Sequence, residues 1–68
     1  MRLTWQDVGD LAEALVRRHP DTDPLSVSPS DLRRMVSELP EFGDLPSAAT
    51  DDLLEEIQSA WYEEFEGH

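Results

Sequence analysis

Apolar residues fall into three runs with helical spacing. Val8, Leu11, Ala12 and Leu15 recur at i, i+3, i+4 and i+7 with polar residues opposite, which predicts an amphipathic helix. Its start lies between residues 4 and 8. Thr4-Trp5-Gln6-Asp7 has the form of a capping box, and Asp7 could equally be the cap. Pro20 ends this helix, and Glu13 and Arg17 form a favourable i,i+4 pair on it. Leu32, Met35, Val36 and Leu39 repeat the spacing. Ser28 before Pro29 and Asp31 offers a cap, an initial proline and an acid in the first turn; Ser30 is a rival cap, and Pro40 is the stop. The third run, Leu54, Ile57 and Trp61, is widened by Leu53, Ala60 and Phe65. Thr50 caps it, Asp51 and Asp52 suit its positive end, and Gly67 marks the exit.

The segments between the helices are turn-rich. They are Asp21-Thr22-Asp23-Pro24 and Glu41-Phe42-Gly43-Asp44-Leu45-Pro46. Val27 and Phe42 are expected to pin these loops to the core. The expected architecture is a mainly α, three-helix domain over residues 1–68 with ordered, proline-bounded loops. Trp5 and Trp61 sit at the edges of apolar stripes and are expected in that core.

Length makes the core thin: the chain has 68 residues, and a domain of this size buries only about 60% of its unfolded surface. Charge changes the picture more. There are 16 acids against 5 bases, a net charge of −11. Such a molecule is repelled by nucleic acid and anionic lipid, so neither is an expected partner. The excess is graded. Residues 1–19 balance Arg2, Arg17 and Arg18 against Asp7, Asp10 and Glu13, whereas residues 50–68 hold seven acids and no base. This asymmetry points to a basic partner or a cation. With no cysteine there is no disulfide, thiolate nucleophile or cysteine-ligated metal. No signal-like or membrane-spanning run is apparent, and a cytoplasmic monomer is the expectation.

Several chemistries fail on their residues. A calcium loop opening at Asp21 would need an oxygen ligand at Leu25, glycine at Ser26 and a bidentate glutamate at Leu32. An Asx turn before Pro24 accounts for Asp21-x-Asp23 instead. An acyl carrier function needs Asp-Ser-Leu, but the order here is Ser30-Asp31-Leu32. His19 and His68 have no visible nucleophile to serve, and no enzyme activity is expected. Arg33 and Arg34 read as a solvated face or as partners for loop acids.

The acids of the third helix carry more information. Asp52, Glu56, Glu63 and Glu66 recur along one face, with Ser59 filling the gap. Glu63, Glu64 and Glu66 crowd the C-terminal end, where the macrodipole disfavours acids by roughly 0.3–1 kcal/mol each. Folding gains nothing from that arrangement. Clustered carboxylates attract hard cations such as Mg²⁺, Ca²⁺ or Fe²⁺, and equally a Lys/Arg patch. Glu56, Glu63, Glu64 and Glu66 are the candidate ligands of a weak, carboxylate-only metal site.

An ordered set of residues spans nearly the whole chain. It runs Leu3-x-Trp5-x-Asp7, Glu13-Ala14-Leu15, Pro20-Asp21-x-Asp23-Pro24, Asp31-Leu32, Leu39-x-x-Phe42-x-Asp44-x-Pro46 and Leu54-Glu55-x-Ile57-x-x-x-Trp61-x-x-Glu64. This set resembles the IscX (YfhJ) family, small acidic accessory proteins of the bacterial ISC iron–sulfur cluster assembly machinery. The resemblance implies a modified winged-helix fold that does not bind nucleic acid. It implies docking on the cysteine desulfurase IscS, at a basic surface also used by the bacterial frataxin homologue. It further implies weak Fe²⁺ binding without an obligatory cofactor, and a role as iron donor or as regulator of assembly. By position, Asp21, Asp23, Asp31, Asp44, Glu55 and Glu64 match the family's acids and are assigned to the partner- and iron-facing surface. Among them Asp31 is the foremost candidate for a mere cap or brace. Trp5, Leu15, Phe42, Ile57 and Trp61 are assigned to the core.

The chain also departs from the family. Pro29 and Met35 stand where an aromatic and a tryptophan are common, Arg33-Arg34 replaces a His-Gln-like pair, and Gly43-Asp44-Leu45 interrupts an all-acidic stretch. Arg17 and Arg18 add positive charge to the first helix. These changes weaken a metal site in the second loop and shift the weight to the third helix.

Overall fold

A computed structural model describes residues 2–67 of the chain. Met1 and His68, including the terminal histidine considered above, lie outside the described residues. Three helices form where the apolar stripes predict them: α1 (Val8–Arg18), α2 (Pro29–Ser37) and α3 (Asp51–Glu66). The stripes are the buried faces. Leu11, Ala12 and Leu15 of α1, Leu32 and Val36 of α2, and Leu54, Ile57 and Trp61 of α3 meet in one core with Trp5 and Leu39. The main helical contact is α1 against α3, with α2 closing the cluster.

The caps show which alternative each helix uses. Thr4 and Asp7 form only half of a capping box: the Asp7 carboxylate accepts the Thr4 N–H at 2.9 Å, but Thr4 Oγ1 accepts the Gln6 N–H at 3.3 Å, and the Asp7 N–H goes to the Thr4 carbonyl at 3.0 Å. They close a turn ahead of the helix, which starts at Val8 after Asp7 with no side-chain cap. Ser28, not Ser30, caps α2, its Oγ accepting the Asp31 N–H at 3.2 Å with Pro29 as the first helical residue. Thr50 caps α3 in the same way through Leu53 N–H at 3.2 Å. Gly67 ends α3 with φ −75°, so this exit uses no left-handed residue.

Both loops are ordered by short 3₁₀ helices, Pro24–Ser26 and Pro46–Ala48. Val27 and Phe42 are half-buried and packed on the core, as the pin reading expects. Phe42 also meets Trp5 edge to face, with ring centroids 4.8 Å apart. Among the described residues there is no strand; one isolated parallel bridge joins Leu3 to Phe42. The expectation of three helices holds. Among the described residues no pair of strands forms the wing that a winged helix would have. Beside the bridge, a Cβ on Gly43 would stand 2.5 Å from Cδ and 2.7 Å from Cβ of Arg2, so glycine at this departure from the acidic stretch lets Arg2 cross the loop.

Arg33 differs from its expected place. It is half-buried, and its Nη2 donates to the Ala49 carbonyl at 3.1 Å, tying α2 to the segment leading into α3. Arg34 pairs with Asp31 of its own helix at 3.6 Å, both side chains exposed. Glu13 and Arg17 form the expected pair at 4.0 Å.

Candidate functional site

α3 is amphipathic, and burying Leu54, Ile57 and Trp61 turns its carboxylates outward. Asp52, Glu55, Glu56 and Glu63 are all exposed. With Ser59, Ala60 and Val8 from the start of α1 they line an open groove of about 540 Å³. The floor is apolar and the walls are acidic, with no base among the lining residues. The fold thus gathers Glu56 and Glu63 into one concavity.

Glu64 and Glu66 lie elsewhere. Glu64 is half-buried and lines a smaller concavity of about 180 Å³ with Glu13, Val16 and Arg17 of α1. Glu66 accepts a hydrogen bond from the Tyr62 hydroxyl one turn earlier. That bond, the charge of Glu66, slight burial and the charge of Asp23 together raise the Tyr62 pKa above its ordinary value. The four candidate metal ligands are therefore spread over three settings. Among the described residues, no group of three or more His, Asp or Glu side chains converges closely enough to hold a metal ion.

The acids matched by resemblance divide by what they do locally. Asp23 caps the first 3₁₀ turn, accepting the Leu25 N–H at 3.0 Å. Asp44 braces the second loop: its carboxylate accepts from Leu45 N at 2.7 Å and from Trp5 N at 3.4 Å. Trp5 completes that brace by donating its indole N–H to the Leu45 carbonyl at 2.6 Å. Asp31 sits in the first turn of α2 with Arg34, consistent with its reading as a brace. Asp21 and Glu55 are exposed, with no hydrogen bond or ion pair among the described residues, and keep their charge open to a partner.

Gln58 was not singled out by its position in the sequence. Its Nε2 donates to the carbonyls of Pro24 at 2.8 Å and Val27 at 3.1 Å, clamping the first loop to α3. The available signal was a polar residue four positions after Leu54 and next to Ile57, on the border of the apolar stripe; in the structure it is half-buried. His19 is the C-cap residue of α1, its ring 6.4 Å from that of Trp61. No helix of the described residues is long and apolar enough to cross a membrane.

A family model described as iron-sulphur cluster assembly matches residues 3–66. An uncharacterized protein of Pseudomonas aeruginosa, PA3808, is 48% identical over 64 residues, covering 94% of this chain and 97% of that protein. The family match takes in α1, α2, α3 and the two ordered loops between them. The chain belongs to the IscX family of iron–sulfur cluster assembly proteins.

Proposed function

We propose that this protein is a non-catalytic cytoplasmic adaptor, monomeric on its own, that docks through its acidic surface on the cysteine desulfurase IscS and tunes cluster assembly. The observation that supports this reading best is the groove along α3, where Asp52, Glu55, Glu56 and Glu63 surround the apolar floor of Val8 and Ala60 with no base among them. Lysine and arginine suit such a surface, because their aliphatic stems cover apolar floor while their charged heads meet carboxylates. Exposed charges of this kind speed association and select partners more than they add raw affinity. Asp21, Glu55 and Glu64 extend the docking surface. Asp23 and Asp31 each keep one carboxylate oxygen for a partner, whereas both oxygens of Asp44 are engaged in bracing the second loop.

Weak Fe²⁺ binding belongs to the same reading, with iron as passing cargo and not as a resident cofactor. Hard cations suit carboxylate oxygen, and Glu56 and Glu63 share the groove, with Glu64 and Glu66 at the same end of α3. The adaptor reading needs no convergent metal site. An iron carrier would.

The test is titration of the isotopically labelled protein with IscS, and separately with Fe²⁺, following backbone amides. IscS should shift amides along the exposed face of α3. Exchanging Asp52, Glu56 and Glu63 for Asn, Gln and Gln should weaken binding by about tenfold or more, with helix content unchanged. Unaltered affinity would remove the groove from the docking surface. If Gln at 63, 64 and 66 abolished iron binding while IscS binding survived, delivery of iron would become the better account.

A further inference from the structure

Leu25 is a large apolar side chain held out into solvent, 63% exposed, by a backbone fixed on all sides. Pro24 before it is buried and opens the 3₁₀ turn. Asp23 accepts the Leu25 N–H, and Ser26 Oγ donates back to the Asp23 carbonyl at 2.7 Å. The carbonyls on both sides of Leu25, those of Pro24 and Val27, are held by Gln58 of α3, and Val27 is packed on the core. The turn also abuts the acidic helix: the Asp23 charge acts on Tyr62, whose hydroxyl is bonded to Glu66. Leu25 thus follows the acids Asp21 and Asp23 in a turn packed against α3, a helix that carries no base.

We infer that Leu25 is the apolar anchor of the docking surface. It enters a hydrophobic socket on a partner whose rim carries lysine or arginine, and Asp21 and Asp23 meet that rim. Rigidity is what makes the contact effective. The backbone is ordered before binding, so only the leucine's own rotamers are restricted on association. The apolar contact supplies affinity that salt does not screen, whereas the surrounding acids supply the salt-sensitive part. This inference rests on the adaptor reading, with IscS as the partner to be tested.

Leu45 is the natural control. It is 69% exposed, and its own N–H is likewise accepted by the preceding aspartate, but its loop is braced by Trp5 and not by α3. Affinity for IscS should be measured for the unaltered chain, Leu25→Ala and Leu45→Ala, each at low and high salt. Leu25→Ala should weaken binding by about tenfold with an unchanged salt slope, a loss in line with removing a few buried methyl and methylene groups. Leu45→Ala should bind as the unaltered chain does. Both side chains are exposed, so both variants should keep their helix content, which circular dichroism checks. If Leu25→Ala binds normally, or if both variants lose affinity equally, the anchor is wrong while the adaptor reading stands. If the unaltered chain does not bind IscS at all, the adaptor reading itself fails.

Discussion

At the scale of single residues, the structure separates carboxylates that hold the fold from carboxylates that face outward. Asp44 is the clearest of the first kind, since its oxygens receive N–H groups from both Leu45 and Trp5. Its presence in the matched pattern is explained by the loop alone, without a ligand. Glu66 has a measurable local effect: it accepts the Tyr62 hydroxyl and raises that phenol's pKa. Tyr62 is the only tyrosine, so its ionisation can be followed directly by ultraviolet absorbance. The midpoint should lie above the ordinary value of about 10 and fall toward it in Glu66→Gln. A pKa raised in the folded state means that the neutral phenol is favoured by folding. That contribution is complete below pH of about 10 and disappears as phenolate forms through the raised value. An unaltered midpoint in Glu66→Gln would show that the bond does not hold in solution. Gln58 shows why other residues escape a reading of the sequence. Its two bonds to Pro24 and Val27 span more than thirty positions, and no local spacing announces them.

At the scale of elements, the three helices were legible because each carries an apolar stripe at helical spacing and two carry serine or threonine at the cap. The start of α1 was legible only as the range 4–8, which holds Val8, because the Thr4–Asp7 bonds close a separate turn and Asp7, though the N-cap residue, makes no side-chain cap bond. The 3₁₀ turns at Pro24 and Pro46 were also hidden, being too short to show any periodicity. The same limit applied to the site. Carboxylates of α3 could be counted along one face, but the floor provided by Val8 and the separation of Glu64 from Glu63 depend on where α1 lies. At the end of α3 the acids of the proposed docking surface work against stability. Its last turn contains no base, and Glu63 opposes the macrodipole. Glu63→Gln should therefore raise the free energy of unfolding by roughly 0.3–1 kcal/mol, read from thermal or urea denaturation, while weakening IscS binding. A loss of stability would mean that Glu63 makes a compensating contact in the fold.

At the scale of the whole molecule, the net charge of −11 is distributed by the fold into an outward acidic face on α3 and an apolar core behind it. Self-repulsion among these acids costs some stability, and a positively charged surface would relieve it on contact. Membership of the iron–sulfur cluster assembly family gives that surface a setting, and IscS is the proposed partner. The central claim is that docking is carried by exposed carboxylates. Its most direct test is the equilibrium affinity for IscS across a salt series, because the Debye length falls from about 10 Å at 0.1 M to about 3 Å at 1 M. Affinity should drop steeply through that range. Retention of the same affinity at high salt would contradict an electrostatic docking surface.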